Sequence, residues 1–169
     1  MQQIGVSIAV PDPWGAQLQE YRLSVGDRAA EQIPTHITLL PPLEVPRSAM
    51  TRISAHLERI AQEHTPIQVL LRGTGTFRPV SPVVFINVVA GISQMEMLAK
   101  QVRQGPLAVR TRFPYHPHVT VAQEVSVDLL DQAFTELADF EASFLASEFW
   151  LYHHDEKVGW QPERSFALG

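Results

Sequence analysis

Two short segments carry the same order of residue types: a histidine, an apolar residue, a threonine and a second apolar residue. The segments are His36-Ile37-Thr38-Leu39 and His118-Val119-Thr120-Val121. Residues i and i+2 of a β-strand share one face. If both segments are strands, each therefore presents an imidazole and a hydroxyl together while its apolar residues face a core. The second motif follows the first by 82 positions, close to half of the 169 residues, which indicates equivalent places in a repeat.

Paired imidazoles suit the in-line cleavage of a phosphodiester. That reaction needs a base on one side of phosphorus and an acid on the other, and histidine can serve as either near neutral pH. His36 and His118 would act from opposite sides, with a bell-shaped rate profile whose limbs flank roughly pH 6 to 8. The hydroxyls of Thr38 and Thr120 would donate hydrogen bonds to the non-bridging phosphate oxygens. This chemistry requires no metal ion and no other cofactor.

A metal site is the main alternative for these histidines. His116 has the same strand parity as His118, but a metal site needs three or more ligands. The nearest supply of further ligands is the predicted turn that contains His153, His154 and Asp155. Solvated turn histidines are the commoner case, so we expect no metal. A metal-dependent hydrolase and a non-catalytic nucleotide-binding or RNA-end-binding protein stay open as alternatives.

The composition limits the class of protein. Hydrophobic residues make up 45% of the chain, which supports a packed interior, and the absence of cysteine excludes disulfides and thiolate metal sites. The formal net charge is −5 and no Lys/Arg-rich block occurs. Proteins that bind long nucleic acids usually carry a basic stripe, so we expect a small nucleotide or an RNA end as substrate. No long apolar run suggests a membrane span, and we expect a cytoplasmic monomer.

Three residues outside the motifs are candidates for substrate binding. Phe77 and Tyr115 are aromatic residues that could stack on a base beside the site. Arg112 lies three residues before Tyr115 and could contact a phosphate. Ordinary packing of Phe77 and ordinary loop exposure of Arg112 are the competing interpretations.

Apolar periodicity predicts the elements that must position the motifs. In the first half we expect a strand (3–11), a helix (13–25), a strand (35–40), a helix (48–64) and a strand (67–73). Asp12 would cap the first helix and Gly26 would end it, and the prolines at 41 and 42 would end the second strand. The apolar face of the first helix comprises Trp14, Leu18, Tyr21 and Val25.

The second half repeats this order. We expect a strand (83–89), a helix (94–104) capped by Ser93, a strand (118–123), a helix (127–137) capped by Ser126, and a closing hairpin (143–152 and 159–168). Trp150 and Trp160 would pack against each other across that hairpin. Such alternation predicts an α+β protein with mainly antiparallel sheets. We expect one domain over residues 1–169, with a repeat of approximately 1–75 and 83–169 between which strands could be exchanged.

The segments PTHITLLPP and PYHPHVTVAQ resemble signatures of the two-histidine (2H) phosphoesterase superfamily, in particular its 2'-5' RNA ligase-like branch. The resemblance extends over nearly the whole chain. It implies two pseudo-symmetric lobes around a central cleft, with His36 and His118 as the catalytic pair and Thr38 and Thr120 as phosphate binders. Family activities include hydrolysis of 2',3'-cyclic phosphates and reversible formation of 2'-5' linkages. Some RNA-acting members have an arginine where this sequence has Gln123.

Overall fold

Eight strands and four α-helices alternate along the chain in a computed structural model that describes residues 1–169. The first half contains β1 (Gln2–Ala9), α1 (Trp14–Ser24), β2 (His36–Val45), α2 (Met50–Gln62) and β3 (Ile67–Thr76). The second half contains β4 (Val83–Ala90), α3 (Ile92–Val102), β5 (His118–Gln123), α4 (Val127–Glu136), β6 (Glu141–Ala146), β7 (Glu148–Asp155) and β8 (Gly159–Ala167). A short 3-10 helix, Arg28–Glu31, precedes β2. None of the helices is long and apolar enough to cross a membrane.

The strands form two four-stranded sheets in which every pairing is antiparallel. The first sheet has the order β2-β1-β7-β8 and the second has the order β5-β4-β3-β6. The prediction of an α+β fold with antiparallel sheets and flanking helices is therefore confirmed. The two motif-bearing strands, β2 and β5, each lie at the edge of a sheet and approach each other.

Each sheet combines strands from both halves of the chain. The strand β3, from the first half, lies in the second sheet between β4 and β6. The last two strands, β7 and β8, complete the first sheet beside β1. These exchanges tie the two sheets together, because neither can form without strands from distant parts of the sequence.

The apolar residues of both motifs are buried in the hydrophobic core. Ile37, Leu39, Val119 and Val121 have no exposed surface. Their burial fixes the registers of β2 and β5, since a slip of one residue would place these side chains in the cleft and the polar ones in the core. The alternation predicted for the two motifs is confirmed.

The edge position of β2 explains why its prolines do not end it. The strand continues through Pro41 and Pro42 to Val45, so the predicted end at residue 40 is wrong. Between the pairs formed by Val6 with Leu40 and Ile4 with Leu43, the two prolines lie opposite the single residue 5. Proline cannot donate to a strand ladder, and an irregular stretch of an edge strand is a place where it is tolerated.

The starts of the helices differ in how well the sequence predicts them. Ser126 caps α4 as expected, since its Oγ accepts a hydrogen bond from the Leu129 N–H at 3.3 Å. The predicted cap of α3 at Ser93 is wrong, because that helix begins at Ile92 after Gly91, whose φ is 89°. A tight turn from β4 requires this left-handed conformation, which glycine adopts without strain.

The predicted closing hairpin is only partly correct. The strands β7 and β8 do pair, but the preceding stretch is broken at position 147, because β6 belongs to the second sheet. The predicted tryptophan pair is wrong, since Trp150 lies opposite Ser165 and Trp160 lies opposite His154. The imidazole of His154 packs edge-on against the indole of Trp160, with 5.2 Å between ring centroids.

Candidate active site

The two motifs meet in one cavity between the sheets. His36 is the first residue of β2 and His118 is the first residue of β5. Both imidazoles, together with the side chains of Thr38 and Thr120, line a cavity of about 320 Å³. The structure thus brings together the four residues that the sequence selects from two segments far apart in the chain.

Backbone carbonyls orient both imidazoles in the same way. The Nδ1 atom of His36 lies 2.8 Å from the Pro34 carbonyl oxygen, and the Nδ1 atom of His118 lies 2.7 Å from the His116 carbonyl oxygen. A carbonyl oxygen only accepts, so each Nδ1 carries the proton and donates it. Each neutral ring is therefore left with a free Nε2 atom that can take up a proton.

Burial favours the neutral form of both histidines. It lowers the pKa of His36 from 6.5 to about 4, against the opposing effect of the hydrogen bond to Pro34, and the positive charge of Arg22 lowers it further. Burial also lowers the pKa of His118, with a smaller lowering from His116. In the free protein at pH 7 both imidazoles are consequently uncharged.

Two phenylalanine rings pack against the imidazole of His118. The rings of Phe77 and His118 are nearly perpendicular with centroids 4.9 Å apart, and Phe85 lies 5.2 Å from the same imidazole. Phe77 also packs edge-on against His116 at 5.5 Å. Phe77, predicted as a substrate-stacking residue, therefore contacts the imidazole of His118 directly.

Tyr115 fastens the segment before β5 to the first motif strand. Its hydroxyl donates a hydrogen bond of 2.8 Å to the Thr38 carbonyl oxygen. The guanidinium of Arg103 stacks 5.1 Å from the centre of the Tyr115 ring, and its Nε donates to the Leu39 carbonyl oxygen at 2.8 Å. These contacts link the segment that precedes His118 to the backbone of β2.

A larger groove of about 870 Å³ adjoins the cavity, and Thr38 and His118 line both. The groove contains all three residues predicted to bind substrate: Phe77, Arg112 and Tyr115. It also contains three residues that the sequence analysis missed: Arg103, Arg110 and Phe113. Phe113 is 56% exposed and its ring lies under the Arg112 guanidinium, so this wall presents an aromatic and cationic surface to solvent.

The sequence analysis also missed most of the cavity wall. The polar or aromatic residues that it did not select are Ser7, Arg22, Gln32, Tyr152 and Trp160, and Gln123, which it named only by comparison with the family, also lies in this wall. One of them left a detectable signal: Arg22 is four residues after Leu18, on the stripe of α1 that is buried. A charged residue on a buried helical stripe usually has a partner or a function, because an unpaired buried charge is costly.

The histidines considered as metal ligands do not gather around a common point. His116 lines the groove, whereas His153 lies on β7 with its Nδ1 atom 3.3 Å from a carboxylate oxygen of Glu163. No three histidine, aspartate or glutamate side chains of the chain lie close enough to hold one ion. The cavity presents two imidazoles and two hydroxyls as its reactive groups.

Comparison with known proteins places this chain in a family. The family model described as the 2'-5' RNA ligase superfamily matches residues 10–158. A protein of Bacillus cytotoxicus with a provisional phosphoesterase name is 28% identical over 141 residues, which cover 81% of this chain and 80% of that protein.

Two solved structures show the same fold. TT0787 of Thermus thermophilus is 24% identical with a TM-score of 0.70, and 99% of this chain and 98% of that chain are covered. E. coli LigT complexed with ATP gives the same identity, TM-score and coverage, and LigT has also been solved with 3'-AMP and with NADP+. The family match extends over both histidine motifs and most of the sequence, and the chain belongs to the 2'-5' RNA ligase superfamily of phosphoesterases.

Proposed function

We propose that this protein is a metal-independent phosphodiesterase that opens a 2',3'-cyclic phosphate or cleaves a 2'-5' linkage in a small nucleotide or an RNA end. The observation that carries the proposal is the convergence of two imidazoles and two threonine side chains in one cavity. Each imidazole has its Nδ1 bound to a backbone carbonyl and its Nε2 available. Binding alone would not need two imidazoles held in this way, whereas acid–base catalysis does.

The reaction follows from the two imidazoles. For a 2',3'-cyclic phosphate, Nε2 of one neutral histidine takes a proton from water as the water oxygen bonds to phosphorus. The bond from phosphorus to the 3' oxygen breaks on the opposite side, and that oxygen receives a proton from Nε2 of the other, protonated histidine. The products are a 3' hydroxyl and a 2' phosphate. The threonine hydroxyls would donate to the non-bridging oxygens as negative charge grows on them.

We assign His36 as the base and His118 as the acid. The pKa of His36 falls to about 4, so its ring is neutral over nearly the whole physiological range and ready to accept a proton. Burial lowers the pKa of His118 as well, but the hydrogen bond from its Nδ1 to the His116 carbonyl opposes that effect and stabilises the protonated ring that an acid requires. A bound phosphate would add a negative charge beside His118 and favour its protonation further.

The groove supports a nucleotide as the rest of the substrate. Its wall offers the Tyr115 ring, the exposed Phe113 ring and the guanidinium of Arg112, which suit a base and a phosphate backbone. LigT of E. coli, which shares the fold, has been solved with the small nucleotides ATP, 3'-AMP and NADP+. The net charge of −5 disfavours long nucleic acids. A cytoplasmic location and a monomeric state belong to the same proposal.

The direct test is an activity screen without metal. Purified protein in EDTA should hydrolyse at least one member of a panel of 2',3'-cyclic nucleotides, 2'-5' oligonucleotides, ADP-ribose cyclic phosphate and RNA with a cyclic phosphate end. The rate should be unchanged by EDTA, because protons and fixed donors replace the Lewis acid. Complete inactivation by EDTA, with recovery on addition of a divalent ion, would favour the metal-dependent hydrolase. Binding without turnover of every substrate would favour the binding protein.

The pH dependence should be bell-shaped and displaced toward acid. The rate kcat/KM reports the free enzyme, in which His36 must be neutral and His118 protonated. His36 loses its proton above about pH 4, and His118 keeps its proton only below a pKa that burial lowers from 6.5. The maximum is therefore expected between about pH 4 and 6.5, which is more acidic than the histidine pKa in water suggests. A kcat/KM profile that still rises above pH 8 would contradict this assignment.

A further inference from the structure

Arg22 is a buried cation that reaches the cavity from helix α1. Only 2% of the residue is exposed, yet it lines the cavity that holds His36 and His118. Its Nε donates to Oδ2 of Asp27 at 2.9 Å, and that carboxylate also accepts from the Ala29 N–H through Oδ1. A buried ion pair with Asp27 therefore fixes the position of the Arg22 guanidinium.

The outer nitrogens of Arg22 have no partner in the protein. A guanidinium has five N–H donors, and the bond to Asp27 is the single hydrogen bond that the Arg22 side chain makes. These terminal nitrogens are not fully enclosed by the protein. They therefore contact the cavity that Arg22 lines. Four donors are thus left for a group inside it.

The cavity has no other permanent positive charge. Arg22 is the only lysine or arginine among its lining residues, and Gln123 in the same wall is uncharged. At pH 7 both imidazoles are neutral in the free protein, because burial lowers the pKa of each. The arginines of the neighbouring groove line its wall and not this cavity. A phosphodiester anion that enters the cavity would find its fixed countercharge only at Arg22.

Arg22 lies on the side of the cavity that holds His36 and Thr38. Arg22 lines the same cavity as His36 and His118, and its positive charge contributes to the lowered pKa of His36. Ser7, which lines the same cavity, lies directly opposite Thr38 in the pairing of β1 with β2. The Ser7 Oγ atom is fully enclosed and lies beside the Tyr152 hydroxyl, so the Ser7 hydroxyl is not open to a ligand in the cavity.

We propose that Arg22 binds the phosphate that reacts between His36 and His118, donating from its terminal nitrogens to a non-bridging oxygen. This role rests on the proposed function, since it takes the reacting group to be a phosphate. It gives the site a fixed cation where other phosphoryl-transfer enzymes use a metal ion or an arginine clamp.

The test removes the charge together with its partner. Arg22→Met combined with Asp27→Leu avoids leaving a buried carboxylate unpaired, and replacement of a buried ion pair by apolar residues is often tolerated. The matched control is Arg164→Met with Glu58→Leu, which removes an exposed ion pair of 3.2 Å between β8 and α2, outside the cavity and the groove. Folding of both variants is checked by circular dichroism and melting.

We expect the Arg22 variant to bind inorganic phosphate at least tenfold more weakly, measured by calorimetry, and to lose ~10²-fold or more in kcat/KM on 2',3'-cyclic AMP. Its affinity for adenosine, which has no charge, should stay within about twofold of the original. A purely structural role of the ion pair would weaken phosphate and adenosine binding together. Phosphate affinity within twofold of the original protein would overturn the proposal.

A measurement on the unchanged protein covers the case in which the variant does not fold. With arginine labelled by ¹⁵N, the buried Nε–H of Arg22 should give a slowly exchanging signal that shifts when inorganic phosphate is titrated. No shift of any protected Nε signal would also overturn the proposal. Because phosphate binding needs no turnover, both measurements test Arg22 even if no phosphodiester is found to be cleaved.

Discussion

Replacement of His118 by alanine is expected to lower kcat/KM on a 2',3'-cyclic phosphate by ~10²–10⁴, which corresponds to roughly 3 to 5 kcal/mol of transition-state stabilisation. The variant lacks the proton donor for the leaving oxygen. His36→Ala should cost a similar factor, because it removes the base on the attacking side. Steady-state rates on a single substrate at the pH optimum, with folded variants, measure both effects.

The double variant tests whether the two imidazoles act on one transition state. If they do, the loss of kcat/KM in His36→Ala with His118→Ala should be far smaller than the product of the two single losses. After the first substitution the remaining histidine contributes little to the rate, so its removal costs little more. A loss equal to the full product would mean that the histidines act in separate steps. Structural damage is detected separately, as a melting temperature lower than that of the original protein in either single variant.

His116 provides the matched control for His118. It is two residues away, contacts Phe77 with a ring separation of 5.5 Å, and lines the groove but not the cavity. His116→Ala should therefore be milder than His118→Ala, with an effect mainly on KM. If His116→Ala abolished activity while His118→Ala retained most of it, the motif would have been misassigned. The metal-dependent hydrolase would then become the leading hypothesis.

Local pattern is sufficient to predict the strands that carry the site. In β2 and β5 the alternation of His, apolar, Thr and apolar residues fixes both the strand and its inward face, and the buried Ile37 and Val119 show that this inference is sound. A period of two leaves a single way to bury the apolar side chains. The presence of two such segments in one chain also indicates acid–base chemistry from the residue types alone.

The remainder of the cavity depends on contacts between distant segments, which periodicity does not report. Trp160 and Ser7 line the cavity because β8 and β1 belong to the same sheet as β2. The sequence of a single strand does not predict that sheet order. The passage of β2 through Pro41 and Pro42 likewise depends on its edge position. Gly91 takes the place of Ser93 at the start of α3 because turn geometry outweighs side-chain capping there.

Arg22 is an intermediate case. Helical spacing from Leu18 places it on the buried stripe of α1, so its burial could have been inferred from the sequence. Its ion pair with Asp27, five residues later, and its exposure to the cavity could not, because the chain leaves the helix between the two residues. A charge on a buried stripe is thus a signal for a site whose location only the fold reveals.

Removal of one threonine hydroxyl at a time should lower kcat by up to ~10²–10³, the effect expected for the loss of one donor to a developing phosphate charge. Thr38→Val and Thr120→Val keep the β-branched shape on strands β2 and β5, so the neighbouring backbone should not move. Because the donor acts mainly as charge grows in the transition state, kcat should fall more than KM rises. The hydrogen bond from Tyr115 to the Thr38 carbonyl is unaffected by the change and should keep that segment in place.

Thr35→Val is the matched control, just before β2. Its buried hydroxyl donates to the Gln19 side chain at 3.1 Å and does not line the cavity. This variant should lose about 1 to 3 kcal/mol of stability, because the Gln19 oxygen is left without its donor, while the folded protein keeps kcat within about twofold. If Thr38→Val and Thr120→Val behaved like Thr35→Val, with lower melting temperatures and unchanged kcat, their hydroxyls would have a structural role only. The phosphate would then have to be held by Arg22 and the two imidazoles alone.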